Sequence, residues 1–548
     1  MIRIAQIRLK LPYREKDLKI AVLKALRLPA DAQVDYRVLK RSIDSRHHGE
    51  LTAVVTAGVT AVRLKGRAIP QEKILTKTHS PNISLYEEKT YTFPVKCGRK
   101  LKEEERPVII GFGPAGIFAA LELARAGFCP VVLERGKSMD QRSQDVQRFW
   151  DGGALDPESN VQFGEGGAGT FSDGKLATGI GDKCGRIQEV LKTFSVHGAP
   201  DDIFTDQHPH VGTDVLAEVI PSIREEILSL GGQVRFSCRF TGLVTEDGRV
   251  KAVKFTDETG KQQIRAAQTV ILAVGHSARD TFRTLSREGI AMSAKPFAVG
   301  VRCEHPQQMI DAFAYGKEFS ERSVMHACHL EPASYKLTEN LPSGRGVYSF
   351  CMCPGGYVVN ASSEPGRLVV NGMSYSGRSG TNANAAIVVT VTPDDFGSDC
   401  LAGLAFQEKL EEAAYRAAGG KIPVQLLADF AQNRVSSGLG EIRPQTKGAW
   451  AFGDVRGCLP EIIAQSLLSA FPAFARRIHG FDREDALLLG VEARTSSPLR
   501  ILRDETFQAP LAGFFPCGEG AGYAGGITSA AVDGIRTAEA AAQHICSS

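Results

Sequence analysis

The chain has 548 residues, 43% hydrophobic and 23% charged, which is enough apolar material for a large core and too little bias for a disordered or fibrous chain. It contains no run of eighteen apolar residues, so no membrane-spanning helix is expected. Net charge is +3, yet residues 1–100 hold 21 Lys and Arg against 9 Asp and Glu, an excess that the rest of the chain offsets.

The opening MIRIAQIRLKLPYREKD alternates apolar and basic residues and lacks the apolar centre of a signal peptide. Ile2, Ile4, Ile7 and Leu9 read as a strand, and Leu18, Val22, Leu23 and Leu26 recur at helical spacing. Val34 to Ile43 and Leu51 to Val59 read as two more strands, so residues 1–94 are expected to form a small basic α+β unit of ferredoxin-like type. Its charge suits a polyanion, an acidic protein partner or an intramolecular dock, and a solvated face is the plainer reading. Residues 95–106, which end in EEER, are charged and read as a linker. The 12 cysteines form no C-x-x-C pair, so neither a metal site nor a disulfide framework is expected, and a reducing cytoplasm is the simplest setting.

Val108, Ile109 and Ile110 read as a buried parallel strand. The turn Gly111-Phe112-Gly113-Pro114-Ala115-Gly116 follows with G-x-G-x-x-G spacing, then a helix from Ile117 to Ala126 and a second strand at Val131–Leu133. Glu134 closes that strand, where a carboxylate can accept ribose hydroxyls. This is a βαβ dinucleotide fingerprint. Gly111 permits the tight turn, Gly113 the approach of a pyrophosphate, and Gly116 close packing of helix on strand.

Asn160 to Leu176, NVQFGEGGAGTFSDGKL, is the most glycine-dense stretch. Gly164, Gly166, Gly167, Gly169 and Gly174 suit backbone pressed against a ligand, while Phe163, Phe171 and Leu176 are wrong for a free linker. Thr213 to Leu230 reads as a helix, Phe240 to Phe255 as a hairpin turning at Asp247-Gly248, and Thr269 to Val274 as a buried strand ending in Gly275-His276-Ser277. Short strands from about 291 to 450 read as an inserted mixed sheet. Gly513 to Ile545 then reads as strand, glycine-rich turn and Ala-rich helix, with Gly518-Glu519 at the strand end and Gly526-Ile527-Thr528 at the helix start.

GFGPAG with Glu134-Arg135, LAVGHS and FFPCGEG resemble the three FAD motifs of the glutathione-reductase-like flavoprotein superfamily. NVQFGEGGAGTFSDGKL, PHVGTD, GHSARDTF, VRCEHPQ and GVEARTSSPLRI more narrowly resemble a bacterial family of uncharacterised FAD-dependent, NAD/FAD-utilising dehydrogenases, over nearly the whole chain. The resemblance implies an α/β FAD-binding Rossmann domain at 107–290 and 451–548, split by a substrate cap at 291–450. It places Gly111, Phe112, Gly113, Pro114, Ala115 and Gly116 at the FAD pyrophosphate. Glu134, Arg135 and Phe240 fall at the adenosine, and Gly166, Gly167, Gly169 and Thr170 against the cofactor. Gly275 and His276 fall beside it, Gly518 and Glu519 at the ribityl chain, and Gly526, Ile527 and Thr528 at the flavin pyrimidine edge. Glu519 stands where Asp is more frequent in the superfamily.

No second strand-linked G-x-G-x-x-G and no C-x4-C beside the first βαβ is present. NAD(P)H is then a transient reductant in the cap cleft or takes no part. Cys351 and Cys353 are alternate residues of a strand, either a redox pair or small packed hydrophobes. Cys517 reads as packing. Arg302 orients an anionic substrate or pairs with Glu304, and Asp173 and Lys175 could face the flavin. No catalytic base is assigned. The expected function is an FAD-binding oxidoreductase of unknown small-molecule substrate. The alternatives are a flavin-dependent RNA-modifying protein and a non-enzymatic FAD-binding sensor or scaffold.

Overall fold

The computed structural model describes residues 1–46 and 50–547. In the N-terminal unit, Ile2–Lys10 lies between Thr52–Leu64 and Ile83–Leu85, with Gln33–Asp44 outside Thr52–Leu64, antiparallel throughout. Ile4 and Ile7 break strict alternation, yet both are buried. A bulge between them, with Gln6 at φ 60°, turns the strand so that each faces the core. The helices Glu15–Ala25 and Gln71–Thr78 supply Leu18, Val22 and Ile74 to the same core.

That core does not close on itself. Met325, Cys328 and Leu330, from far along the chain, complete it, and the Arg41 guanidinium donates to the His329 carbonyl at 2.9 Å. The stretch expected as a linker is also tied down. Val95, Cys97 and Leu101 pack on the nucleotide-domain core, as do Tyr91 and Phe93 at the end of the unit expected at 1–94. The Cys97 amide donates to Ala126 at 2.9 Å and the Tyr91 hydroxyl to Glu539 at 2.8 Å. The reason is visible in retrospect: Tyr91, Phe93, Val95 and Cys97 recur every second residue beneath the charges.

The nucleotide sheet is parallel, in the order Phe514–Pro516, Val270–Leu272, Val108–Ile110, Val131–Leu133, Gln233–Arg235. The helices Pro114–Arg125 and Ile527–Ser547 meet so closely that a Cβ on Gly534 would sit 2.2 Å from the Ala115 carbonyl oxygen. The hairpin Arg239–Glu246 and Arg249–Thr256 forms, and Gln262–Ala266 adds a third strand. Among the described residues no helix is long and apolar enough to cross a membrane.

The cap sheet runs Thr338–Asn340, Gly346–Cys353, Asn382–Val391, Phe297–Pro306, Leu487–Glu492, Ile422–Leu426, Trp450–Phe452. Leu487–Glu492 lies between two cap strands, so the cap reaches past the boundary expected at residue 450, and Glu461–Ala475 packs in the same core. The run LLLGVE is buried throughout, and a uniformly apolar strand carries no mark of which sheet it joins.

A buried ion cluster clamps cap to nucleotide domain. Glu411, on the cap helix Ala402–Ala417, accepts from Arg279 at 2.6 and 2.9 Å and from Arg494 at 2.7 and 2.8 Å. Arg279 belongs to the nucleotide-domain helix Arg279–Arg287. Burial alone would raise the Glu411 carboxyl, but the two guanidiniums outweigh it and bring it down to about 2. The folded carboxyl therefore titrates below its ordinary value of 4.5. Its stabilisation is complete above that value and fades as pH falls toward about 2. Glu411→Gln leaves two buried cations to the partly exposed Glu364 and should cost about 3–5 kcal/mol at neutral pH. Urea midpoints of wild type and variant should converge as pH drops through that window, and a pH-independent gap would count against the cluster.

Candidate functional site

The turn after Val108–Ile110 is built as its glycines demand. Gly111 has φ 98°, and a Cβ there would lie 2.7 Å from the Ala273 carbonyl oxygen. A Cβ on Gly116 would meet the Gly111 carbonyl oxygen at 2.0 Å, so this glycine is a packing residue rather than a lining one. At Gly113 the nearest atom to such a Cβ is the Gly167 Cα at 3.7 Å, an ordinary contact, and both glycines line a cavity. Gly113 caps the helix Pro114–Arg125 without a side-chain bond, leaving first-turn amides for an anion.

Glu134 ties three segments together. Its carboxylate accepts from the Phe112 amide at 2.7 Å and from the Gly136 and Gly164 amides at 2.9 Å. The glycine-rich loop is in turn wrapped around a buried arginine. Arg142, from the helix Met139–Trp150, donates to the carbonyls of Asn160, Val161, Gly164, Glu165 and Gly167. Those five bonds use the full donor set of a guanidinium. Burial brings Arg142 down to about 10, against the pull of Glu134 and Glu165, so it stays charged at neutral pH. Gly166 and Thr170 fall behind the loop, where a Cβ on Gly166 would strike the Thr170 hydroxyl at 2.1 Å.

On the opposite wall, Asp533 accepts from the Gly518 amide at 2.8 Å and from Arg503 at 2.6 and 3.0 Å. This fixes the Gly518-Glu519 turn, with Gly518 turned toward Ala115 and away from the cavity. Glu519 lines the cavity 3.3 Å from the His276 Nδ1. That contact lacks hydrogen-bond geometry, and the buried nitrogen has no hydrogen-bond partner among the described residues. Thr528 is buried and donates to the Leu176 carbonyl at 2.7 Å, locking the glycine-rich loop to the last helix.

One cavity of about 350 Å³ joins these parts. Glu134, Arg135 and Phe240 line one end; Phe112 to Ala115, Gly167, Gly169 and Glu519 line the middle. Gly275, His276, Gly526 and Ile527 face it as well. Arg135 lies 4.0 Å over the Phe163 ring and pairs with Glu158 and Asp280. Cys238, Arg239 and Thr281 also line the cavity, and the sequence reading missed them because no spacing rule links them to the fingerprint.

The cap closes the far end with Phe350, Cys351, Asn371, Glu492 and Arg494, facing Asp173 and Lys175 of the glycine-rich loop. Arg302 lies behind this wall and pairs with Glu492 at 2.8 Å, not with Glu304. Glu304 instead accepts from the Gln445 amide at 3.2 Å, and burial pushes its carboxyl up to about 8. Cys517 is buried beside the nucleotide sheet as a packing residue, with burial pushing its thiol up.

An uncharacterised protein of Clostridium beijerinckii is 44% identical to this chain over 543 residues, spanning 98% of each. The family described as FAD-dependent protein, C-terminal domain-like, matches residues 296–495. The chain belongs to this family of FAD-dependent proteins. A domain of unknown function matches residues 1–60. Among solved structures, the Escherichia coli quinol fumarate reductase is 11% identical, covering 80% of this chain and 70% of that one with TM-score 0.37. The Bacillus halodurans glycerol-3-phosphate dehydrogenase complexed with FAD is 12% identical, covering 80% and 64% with TM-score 0.35. A Cytophaga hutchinsonii flavoprotein/dehydrogenase is 10% identical, covering 80% and 77% with TM-score 0.35. At those scores the likeness is loose, and the family assignment stands on the sequence matches.

FAD suits the residues present. Gly113 and Gly167 let the turn and the glycine-rich loop approach closely while both line the cavity, as do the starts of two helices, Pro114–Arg125 and Ile527–Ser547. The loop around Arg142 forms part of that wall. Arg142→Lys keeps the charge but has three donors for five carbonyls. Each lost bond to a charged donor is worth about 1.5–3 kcal/mol. The variant should melt lower and bind FAD about tenfold or more weakly, read by titration of apoprotein. Wild-type affinity would show that the loop orders without the guanidinium.

Proposed function

We propose that the protein is an FAD-dependent oxidoreductase whose small-molecule substrate meets the flavin from the cap side. The observation carrying this reading is the single cavity that runs from a dinucleotide cradle to a polar wall contributed by the cap. The arrangement follows the glutathione-reductase-like plan of an FAD domain split by a cap. The turn Gly111 to Gly116 and the first-turn amides of its helix hold the pyrophosphate. Arg135, Phe240 and one remaining lone pair of Glu134 face the adenosine. Glu519 faces the ribityl chain. Gly526 and Ile527 direct a helix start at the flavin pyrimidine edge, where the dipole favours negative charge. Bound flavin supplies two-electron transfer.

Lys175, Asn371 and Arg494 give the cap end donors for an anionic or carbonyl-bearing substrate. FAD is held non-covalently, and NAD(P)H serves as a transient electron donor in the cap cleft. Twelve free cysteines suit a reducing compartment, the cytoplasm. Residues 1–94 offer a basic outer face to a polyanion or an acidic protein partner.

The purified protein should be yellow, and Gly113→Glu should remove the colour by placing a carboxylate against the pyrophosphate. A colourless wild type that FAD cannot reconstitute would overturn the flavin reading. Anaerobic bleaching by NADH or NADPH, followed by optical absorbance, separates the enzyme from a sensor whose flavin no donor reduces. Polyanion retention that weakens steeply with salt would support the RNA-modifying alternative.

A further inference from the structure

The cap wall of the cavity holds a feature that flavin binding leaves unused. Cys351 and Cys353 belong to the strand Gly346–Cys353, whose pairing with Asn382–Val391 slips between Phe350 and Cys353. Cys351 has φ 44°, a left-handed conformation that a residue with a Cβ adopts only when its surroundings impose it. Across the slip the Cys353 thiol donates to the Cys351 carbonyl at 3.3 Å, and the two thiols lie close enough to influence each other. Their settings differ. Cys351 lines the cavity and is partly exposed, whereas Cys353 is fully buried.

Two cations, the half-exposed Lys175 and the buried Arg302, grip this short segment. Lys175 donates to the Met352 carbonyl. Arg302 donates to the Cys351 carbonyl at 2.9 Å and reaches the Cys353 sulfur at 3.9 Å. Asn384 and Asn371 fix the Arg302 guanidinium at 3.0 and 2.9 Å. A Cβ on Gly372 would come within 2.8 Å of the Cys353 sulfur, and one on Gly356 within 2.9 Å of its Cβ.

We propose that Cys351 and Cys353 are a thiol–disulfide exchange pair facing the cap end of the cavity, and that the substrate class is an organic disulfide. Cys351 is the attacking thiolate. Its charge is favoured by the neighbouring Cys353 thiol, by Lys175 and by Arg302, against the cost of burial. It attacks one sulfur of R–S–S–R′, forming a mixed disulfide with R and releasing R′S⁻, which takes a proton from solvent. Cys353 then attacks the Cys351 sulfur, its proton leaves with RSH, and the Cys351–Cys353 disulfide closes. One substrate disulfide becomes two thiols, and the pair loses two electrons. Return to the dithiol takes two electrons and two protons from reduced flavin, and this last clause alone rests on the proposed function.

Residues 346–367 form one tryptic peptide containing both cysteines and no other. Holoprotein equilibrated with graded ratios of reduced to oxidised glutathione, acid-quenched, alkylated and digested should yield this peptide two hydrogens lighter and unalkylated at the oxidising end. Cys353→Ser should trap one glutathione on Cys351, while Cys351→Ser should leave the buried Cys353 unmodified. A wild-type flavin spectrum certifies that each variant is folded. A wild-type peptide that stays doubly alkylated across the range overturns the proposal, as does glutathione on Cys353 with none trapped on Cys351. The thiol readout needs no flavin turnover, so an absent FAD chromophore would sink the flavin reading separately.

Discussion

The site depends on a carboxylate that is almost fully occupied by the protein itself. Glu134 sits at a strand end, where backbone amides converge, and its charge holds the first glycine turn, its own exit and the glycine-rich loop in one register. These are segments with weak conformational preferences, since glycine loses the most backbone entropy on ordering. Charge-assisted bonds offset that cost, being roughly twice as strong as neutral ones. Arg142 does the complementary work from behind by collecting carbonyls where Glu134 collects amides. An anion and a cation thus template the two polarities of the same backbone. The cradle is rigid before any ligand arrives, which lowers the ordering cost of binding.

The second constraint is the union of cap and nucleotide domain. Apolar packing alone would allow the two bodies to slide, because dispersion has little directionality. Glu411 between Arg279 and Arg494 is directional, and the same Arg494 donates to Ser277 at 3.0 Å and Ser363 at 2.7 Å. Ser277 lies just beyond the nucleotide-sheet strand Val270–Leu272 and Arg494 follows a cap strand, so the cluster helps set the distance between the two walls of the cavity. The cavity's width is an electrostatic outcome as much as a packing one.

Much of the nucleotide half could be read from the chain, because its chemistry is local. Gly111, Gly113, Gly116 and Glu134 act through turn geometry within one βαβ unit, and period and spacing report such geometry directly. The cap could not be read to the same depth. Its boundary failed at Leu487–Glu492, since strand order in a mixed sheet is settled by long-range pairing. Arg302 reads from the sequence as either a substrate anchor or a partner of its neighbour Glu304, whereas the fold brings Glu492 to it across the sheet. Cys238 and Arg239 reach the cavity because a hairpin folds over the parallel strands, a tertiary fact with no motif of its own. Glycine density and the resemblance to FAD motifs set Gly166, Thr170 and Thr528 at the cofactor, but they serve the loop from behind.

The N-terminal unit shows how composition and contact can diverge. Its most visible property is basic charge, yet its attachment to the rest of the chain is mainly apolar, through Met325, Cys328 and Leu330. Lys10 and Arg46 keep 71% and 80% of their side-chain surface exposed, and their partners Glu50 and Asp44 lie within the unit. Exposed pairs of this kind contribute little to stability, about 0–1 kcal/mol. Docking thus rests on apolar contacts and the Arg41 bond to the His329 carbonyl, not on Lys10 or Arg46. The inner face holds the unit on the cap, and the outer face keeps its field for whatever approaches from solvent, screened beyond about 8 Å at physiological salt.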